Sequence, residues 1–227
     1  MSRGVLIVFA RRPEPGRVKT RLCPPFTPAQ AAALYRAMLA DVLEASASMA
    51  AEAGLDPVLA VTPHAACAEL ARECPPAFRV IAQRGADLGA RMQWAVAEAA
   101  AGGAAPILLR GSDSPAFDSA ALAESLAALA QHDLVLRPDG DGGYGLVGLQ
   151  RPAPGLFTHP MGTETVLEQT LRHASRLGLR AHLLSPGFDI DTVGDLRQFS
   201  AIRGQPAAAL CARTFAWLDE QRLWPAS

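Results

Sequence analysis

Apolar runs of strand length alternate with Ala- and Leu-rich stretches of helical length along most of the chain. The runs at residues 5–10, 57–61, 78–82, 106–109, 134–136, 144–149 and 180–184 predict strands. The stretches 28–51, 65–72, 88–101, 119–130 and 163–177 predict helices, and 207–223 predicts a last helix packed on the outside. The strand runs are continuously apolar rather than alternating, which means both faces of the sheet are covered and the pairing is mostly parallel. Asp87 and Asp118 stand where N-caps belong, and Gly54 and Gly178 where helices stop. After Arg137 a polar, Gly-rich loop joins two strand runs with no room for a helix. That predicts an antiparallel piece, hence a mixed sheet in an α/β protein. No repeat or low-complexity linker interrupts the pattern, and the 227 residues read as one domain.

Composition narrows the class. Half of the residues are hydrophobic, so the chain folds, and only 6% are aromatic, so Ala, Leu and Val build the core. No apolar run is long enough for a membrane span, and no signal peptide is recognisable. Four scattered cysteines (Cys23, Cys67, Cys74, Cys211) without a Cys-x-x-Cys pair read as reduced thiols of a cytoplasmic protein. The net charge is −1, yet Arg11, Arg12, Arg17, Lys19 and Arg21 place five cations in eleven residues just after the first strand. Such local concentration points to a small anionic ligand rather than to nucleic acid or a membrane. A solvated basic loop is the blander reading. Homodimerisation stays open.

Ligands of open α/β sheets bind beyond the carboxyl ends of the strands, so the residues after each strand carry the argument. The first strand empties into the basic loop, where Gly16 lets the backbone turn. The run ending at Leu109 leads to Gly111-Ser112-Asp113, which presents a carboxylate in a small-residue turn. The run ending at Leu136 leads to Asp139-Gly140-Asp141-Gly142-Gly143. The last leads to Asp189-Ile190-Asp191, whose acids point the same way if the segment is extended. Three acidic turns and one basic turn at strand ends fit metal and phosphate binding together. Singly, each has another reading: Asp113 as a turn cap, Asp139 and Asp141 as hairpin residues, Asp191 as a helix-dipole partner. Gln83 to Met92 forms a Gly-bearing helix entry that suits a nucleobase or phosphate, unless Gly89 serves close packing. His159 lies near the site without a visible partner. No Walker motif or Gly-x-Gly-x-x-Gly follows the first strand, which disfavours those nucleotide sites.

In this order Pro15-Gly16-Arg17-Val18-Lys19-Thr20-Arg21-Leu22, Gly85-x-x-Leu88-Gly89-x-Arg91-Met92, Gly111-Ser112-Asp113-x-Pro115, Asp141-Gly142-Gly143-Tyr144 and Asp189-Ile190-Asp191-Thr192 resemble the DUF2064 family. The likeness runs over about residues 4–200. It implies the fold of the GT-A-like nucleotide-diphospho-sugar transferase superfamily, a three-layer α/β/α sandwich around a mixed, mostly parallel seven-stranded sheet. It also implies phosphate contacts from Arg17, Lys19 and Arg21, a metal on Asp113 and Asp191, and an acceptor side at Asp141, Gly142 and Gly143. Two positions depart from the family pattern. Met161-Gly162-Thr163 replaces a Trp-Ser-Thr-like stretch, and Gly145 stands where a bulkier residue is usual.

The expectation is therefore a glycosyltransferase that takes a nucleotide sugar and a small-molecule acceptor with Mg²⁺ or Mn²⁺. Asp141 (as base of an inverting reaction) and Lys19 are the expected catalytic residues. Arg11, Gly16, Arg17, Lys19, Arg21, Gly85, Arg91, Gly142, Gly143 and Thr163 are the expected binding set. The alternatives are nucleotidyl transfer from an NTP to a phosphorylated small molecule, with pyrophosphate released, and a nucleotide-binding protein without catalysis.

Overall fold

A computed structural model describes residues 3–224. Seven strands form one mixed sheet in the order β3-β2-β1-β4-β6-β5-β7. They are β1 (Val5–Arg11), β2 (Asp56–Thr62), β3 (Arg79–Ala82), β4 (Ile107–Gly111), β5 (Leu134–Pro138), β6 (Tyr144–Leu149) and β7 (Ala181–Leu183). β1 lies parallel to β2 and β4, and β2 to β3. β6 runs antiparallel to β4 and β5, and β5 is parallel to β7. This is the mixed sheet expected from the short loop after Arg137.

The helices are α1 (Pro28–Ala53), α2 (Cys67–Glu73), α3 (Leu88–Ala101), α4 (Ser119–Leu129), α5 (Val166–Arg176), α6 (Val193–Ala201) and α7 (Ala212–Gln221). Strand parity sorts the core into layers. Val5 and Ile7 of β1 pack with Met92, Ala95 and Val96 of α3. Leu6 joins α1 and α4, and Val8 joins α1 and Leu70 of α2. From Val5 to Val8 β1 is thus buried on both faces, which is why the run is uninterrupted. The second flank of α1 packs against α6 and α7 through Leu34, Met38, Phe199 and Leu218.

The caps behave as the sequence implies. Asp87 accepts from the Ala90 N–H, and Asp118 from the Ala121 N–H. Thr192 opens α6 in a reciprocal capping box with Asp195. Gly54, at φ +67°, ends α1. Three helical boundaries move. The stretch 163–177 becomes helical only at Val166, whose N–H bonds the Thr163 carbonyl in a turn of its own. The stretch 65–72 begins with a 3-10 turn, His64–Ala66. The last helix divides into a 3-10 segment from Pro206 to Cys211 and α7, with Cys211 off helical geometry at φ −117°, ψ 25°. All four cysteines are free thiols. No helix among the described residues is long and apolar enough to cross a membrane.

Candidate active site

The topology gathers the acidic and basic turns. Strand order reverses between β1 and β4, the switch point where open α/β sheets leave a crevice. The carboxyl ends of β1, β4, β5 and β7 share one rim of the sheet. Antiparallel β6 brings its amino end, with the loop before Tyr144, to that same rim. A cleft of about 1320 Å³ opens there. Its lining includes Arg11, Arg17, Lys19, Arg21 and Arg91 on the basic side, and Asp113, Asp141 and Asp191 on the acidic side. Gly142, Gly143 and Thr163 line it too.

Gly16 and Gly85 do not line the cleft, against expectation. Gly16 shapes the outer turn of the basic loop. Gly85 packs against the first turn of α3, where a Cβ would fall 2.7 Å from the Arg91 nitrogen. Gly89 is explained by packing, since a Cβ there would lie 2.1 Å from the Phe157 carbonyl oxygen.

Lys19 is the centre of the site. It leaves the basic loop in a left-handed conformation (φ 49°), with Val18 and Leu22 buried on either side. Its side chain enters the cleft instead of joining the solvated cations. The ammonium ion-pairs with Asp113 and donates to Asp191 Oδ1 at 2.7 Å. Burial alone would disfavour the charged form; the two carboxylates outweigh it and raise the Lys19 pKa above the usual lysine value. Arg21 approaches the other oxygen of Asp191 at 3.8 Å. Arg12 turns away to Glu69, at 2.9 Å, and leaves the site.

Backbone bonds hold the acids. The Ile190 N–H donates to the Asp113 carbonyl at 2.9 Å, locking the turn after β4 to the segment that carries Asp189 and Asp191. The Asp191 N–H donates to Asp195, so the start of α6 fixes that end. Behind the Asp113 turn lies Arg110, a buried guanidinium. It donates to the Ser114 carbonyl at 2.6 Å and to Ser46 Oγ at 3.1 Å, and stacks on Phe117. Tyr35 of α1 bonds Ser112 Oγ at 2.7 Å and accepts from the Arg11 N–H at 3.1 Å, tying the β1 and β4 turns together.

Oxygens of Asp141, Asp189 and Asp191 lie within 4.8 Å of one another. The extended segment does point Asp189 and Asp191 the same way. Three hard carboxylate oxygens fit Mg²⁺ or Mn²⁺. Of the expected pair, Asp191 belongs to this group and Asp113 does not; the Lys19 ammonium bridges the two. Burial, followed by the neighbouring carboxylates Asp189 and Asp141, pushes Asp139 up to about 7. Burial, with Asp191 and Asp113, pushes Asp189 up to about 6. The cleft is crowded with negative charge that a divalent cation would relieve.

On the far side of the cleft, Gly142 meets the loop before α5. A Cβ at Gly142 would lie 2.0 Å from the Glu164 carbonyl oxygen, so two backbones touch there. His159 does have a partner: it shares a 2.9 Å hydrogen bond with Thr170 Oγ1, which bonds on to the Tyr144 hydroxyl at 3.3 Å. Sequence reading missed this chain, and Tyr35 and Arg110 as well.

The model of the family described as an uncharacterized protein conserved in bacteria (DUF2064) matches residues 44–163. The chain belongs to the DUF2064 family. This DUF2064 chain is 34% identical, over 183 residues, to a 3-phospho-D-glycerate guanylyltransferase of Phenylobacterium zucineum (strain HLK1). That match covers 78% of this chain and 81% of the relative. Its fold is close to that of a Desulfovibrio desulfuricans G20 protein named as a nucleotide-diphospho-sugar transferase. There the TM-score is 0.82 at 30% identity, over 97% of this chain and 98% of the other. A cytidylyltransferase of Leptospira borgpetersenii serovar Hardjo-bovis (strain JB197) shares the fold alone. Its TM-score is 0.60 at 13% identity, over 100% and 99% of the two chains. The fold is that of the nucleotide-diphospho-sugar transferases, as the family resemblance implied.

Proposed function

We propose that this protein is a nucleotidyltransferase that joins the nucleotidyl group of an NTP to a phosphorylated small molecule and releases pyrophosphate. The observation that carries this reading is the 34% identity, over most of both chains, to a 3-phospho-D-glycerate guanylyltransferase. The acid set supports it: Asp113 and Asp191 share Lys19, Arg21 approaches Asp191, and Asp141 and Asp189 converge on Asp191. This reverses the weighting drawn from sequence, which put glycosyl transfer first.

In the reaction, an oxygen of the acceptor's phosphate attacks the α-phosphorus of the NTP. The bond from that phosphorus to the oxygen bridging to the β-phosphate breaks, and pyrophosphate leaves with the electron pair. Lys19, Arg21 and Arg17 meet the charge of the phosphate chain as it departs. A phosphate nucleophile is already anionic, so the reaction needs no general base, and Asp141 belongs with the metal-binding acids. Its Oδ1 also accepts from the Gly143 N–H at 3.0 Å, which keeps the loop closed on itself. Asp141, Asp189 and Asp191 would hold Mg²⁺ or Mn²⁺, whose positive charge lowers the cost of charge building up on the phosphates.

Glycosyl transfer is the second reading, favoured by the name of the 30% identical Desulfovibrio neighbour. The two are separated by product. Each NTP is incubated with Mg²⁺ and 3-phospho-D-glycerate, and each nucleotide sugar with the same acceptor. Pyrophosphate from an NTP supports nucleotidyl transfer. Nucleoside diphosphate from a nucleotide sugar, with no pyrophosphate, overturns it.

A further inference from the structure

Asp139 has no role in the machinery described above. It directly follows β5 and lines the cleft on the side away from the basic loop, with Gly142, Tyr144 and Thr163. Its carboxylate lies against Gly145 of β6: a Cβ on Gly145 would fall 3.0 and 3.1 Å from its two oxygens, and 3.2 Å from Ser114 Oγ. The bare Cα at residue 145 therefore makes the room that this carboxylate fills.

Among the described residues no donor hydrogen-bonds that carboxylate. The nearest cation of its own strand, Arg137, gives its Nε to the Ser185 carbonyl at 3.2 Å and stacks on Phe117. The other acids are engaged. Asp113 and Asp191 hold Lys19, Asp141 accepts from Gly143, and Asp189 belongs to the group of converging oxygens from which Asp139 is absent. A half-buried carboxylate with no protein donor is free to accept from a ligand that enters the cleft. The group that fits is a hydrogen-bond donor, and a hydroxyl is the donor that a phosphorylated hydroxy acid offers.

We propose that Asp139 is a specificity-determining residue that accepts a hydrogen bond from a hydroxyl group of the acceptor, beside the phosphate that reacts. The proposal rests on the nucleotidyl-transfer reading for the identity of that acceptor as a phosphorylated hydroxy acid. The phosphate chain of the nucleotide occupies the basic side, so the β5–β6 side of the cleft faces the acceptor.

The test compares 3-phospho-D-glycerate with 3-phosphopropanoate, which lacks only the hydroxyl. Affinities are measured by calorimetry on wild type, Asp139→Ala and Gly145→Ala, with Mg²⁺ present. A hydrogen bond to a charged group corresponds to a preference of about 10- to 100-fold for the hydroxylated acid in wild type. In Asp139→Ala that ratio falls toward one. Gly145→Ala keeps the acid but pushes a methyl group against its oxygens, so the ratio falls there too. O-phosphoserine, with an ammonium in place of the hydroxyl, also donates to Asp139, so its affinity falls in Asp139→Ala as well. Three results overturn the proposal. One is equal affinity of wild type for the pair, lack of binding included. A second is an equal loss for both acids in Asp139→Ala. The third is weakened Mn²⁺ binding by Asp139→Ala without any acceptor, which makes Asp139 a metal ligand. Pyrophosphate release from wild type is measured separately, so failure of the nucleotidyl reading is seen independently of the hydroxyl preference.

Discussion

Replacing Lys19 with Met removes the charge while keeping a buried, unbranched side chain, and the outcome separates two views of the site. The ammonium side chain is 3% exposed, whereas the carboxylates it bridges are 42% (Asp113) and 33% (Asp191) exposed. Losing one partner of a fully buried pair costs about 3–5 kcal/mol, because the other charge is stranded. Here both remaining charges face an open cleft and keep water, so the cost falls to about 1–2 kcal/mol, between that figure and the roughly 0–1 kcal/mol of a solvent-screened pair. In a chain of this size that lowers the melting temperature by about 2–8 °C. The larger effect is on metal. In the free protein the Lys19 ammonium competes for Asp191, one of the converging acids, and for Asp113 beside it. Lys19→Met therefore binds Mn²⁺ about tenfold more tightly in the absence of nucleotide, equivalent to about 1.4 kcal/mol. Nucleotide binding weakens in the same variant. The assay is a Mn²⁺ titration followed by the EPR signal of the free ion, with and without nucleotide. Unchanged or weaker Mn²⁺ binding by Lys19→Met refutes the reasoning, since the ammonium would then not occupy the cation's place.

Three further outcomes follow from the same geometry. Asp139 and Asp189 titrate at raised values, about 7 and about 6, as parts of one coupled acid cluster. A carboxyl raised on folding contributes stability that is full below its unfolded value and is lost as pH rises through its folded value. The metal-free protein should therefore melt higher at pH 5.5 than at pH 8, and Mg²⁺ should raise the melting temperature more at pH 8; calorimetric scans showing the reverse order would count against the cluster. Gly142→Ala places a methyl group 2.0 Å from the Glu164 carbonyl at φ +84°. The two loops must part, so acceptor affinity falls by tenfold or more while nucleotide affinity changes little; equal losses in both would place the fault elsewhere. Arg110→Met leaves the Ser114 carbonyl and Ser46 hydroxyl without their donor, at a cost of about 1–3 kcal/mol in urea unfolding. It also speeds hydrogen exchange at residues 112–114; protection unchanged there would free Arg110 of any part in holding Asp113.

The fold was legible where periodicity and punctuation agree. Continuous apolar strands require two covered faces, and Val5 to Val8 show both coverings. Asp87, Asp118 and Thr192 cap where their side chains can reach a free N–H. The site was legible as a set of strand ends, because chain order alone places Lys19, Asp113, Asp141 and Asp191 after strands. What a one-dimensional pattern does not carry is contact between distant elements. Lys19 reads as one cation of five until the fold sets it between two acids. Tyr35 is one apolar position of a long helix, and its bond to Ser112 depends on how α1 is rotated over the sheet. Asp139 looks like a hairpin residue until Gly145 is seen beneath it. Gly85 and Gly89 were visible as glycines, but only the packing shows that α3 and the Phe157 carbonyl need them.

The central claim is that an acceptor phosphate attacks the α-phosphorus of an NTP, and the fate of one oxygen tests it most directly. GTP is incubated with the protein, Mg²⁺ and 3-phospho-D-glycerate carrying ¹⁸O in its phosphate, and the products are read by ³¹P NMR and mass spectrometry. The account predicts a new phosphorus–oxygen–phosphorus linkage that retains ¹⁸O from the acceptor, together with unlabelled pyrophosphate in equal amount. If no NTP yields such a product, while a nucleotide sugar yields free nucleoside diphosphate, nucleotidyl transfer is contradicted and the cleft is that of a glycosyltransferase.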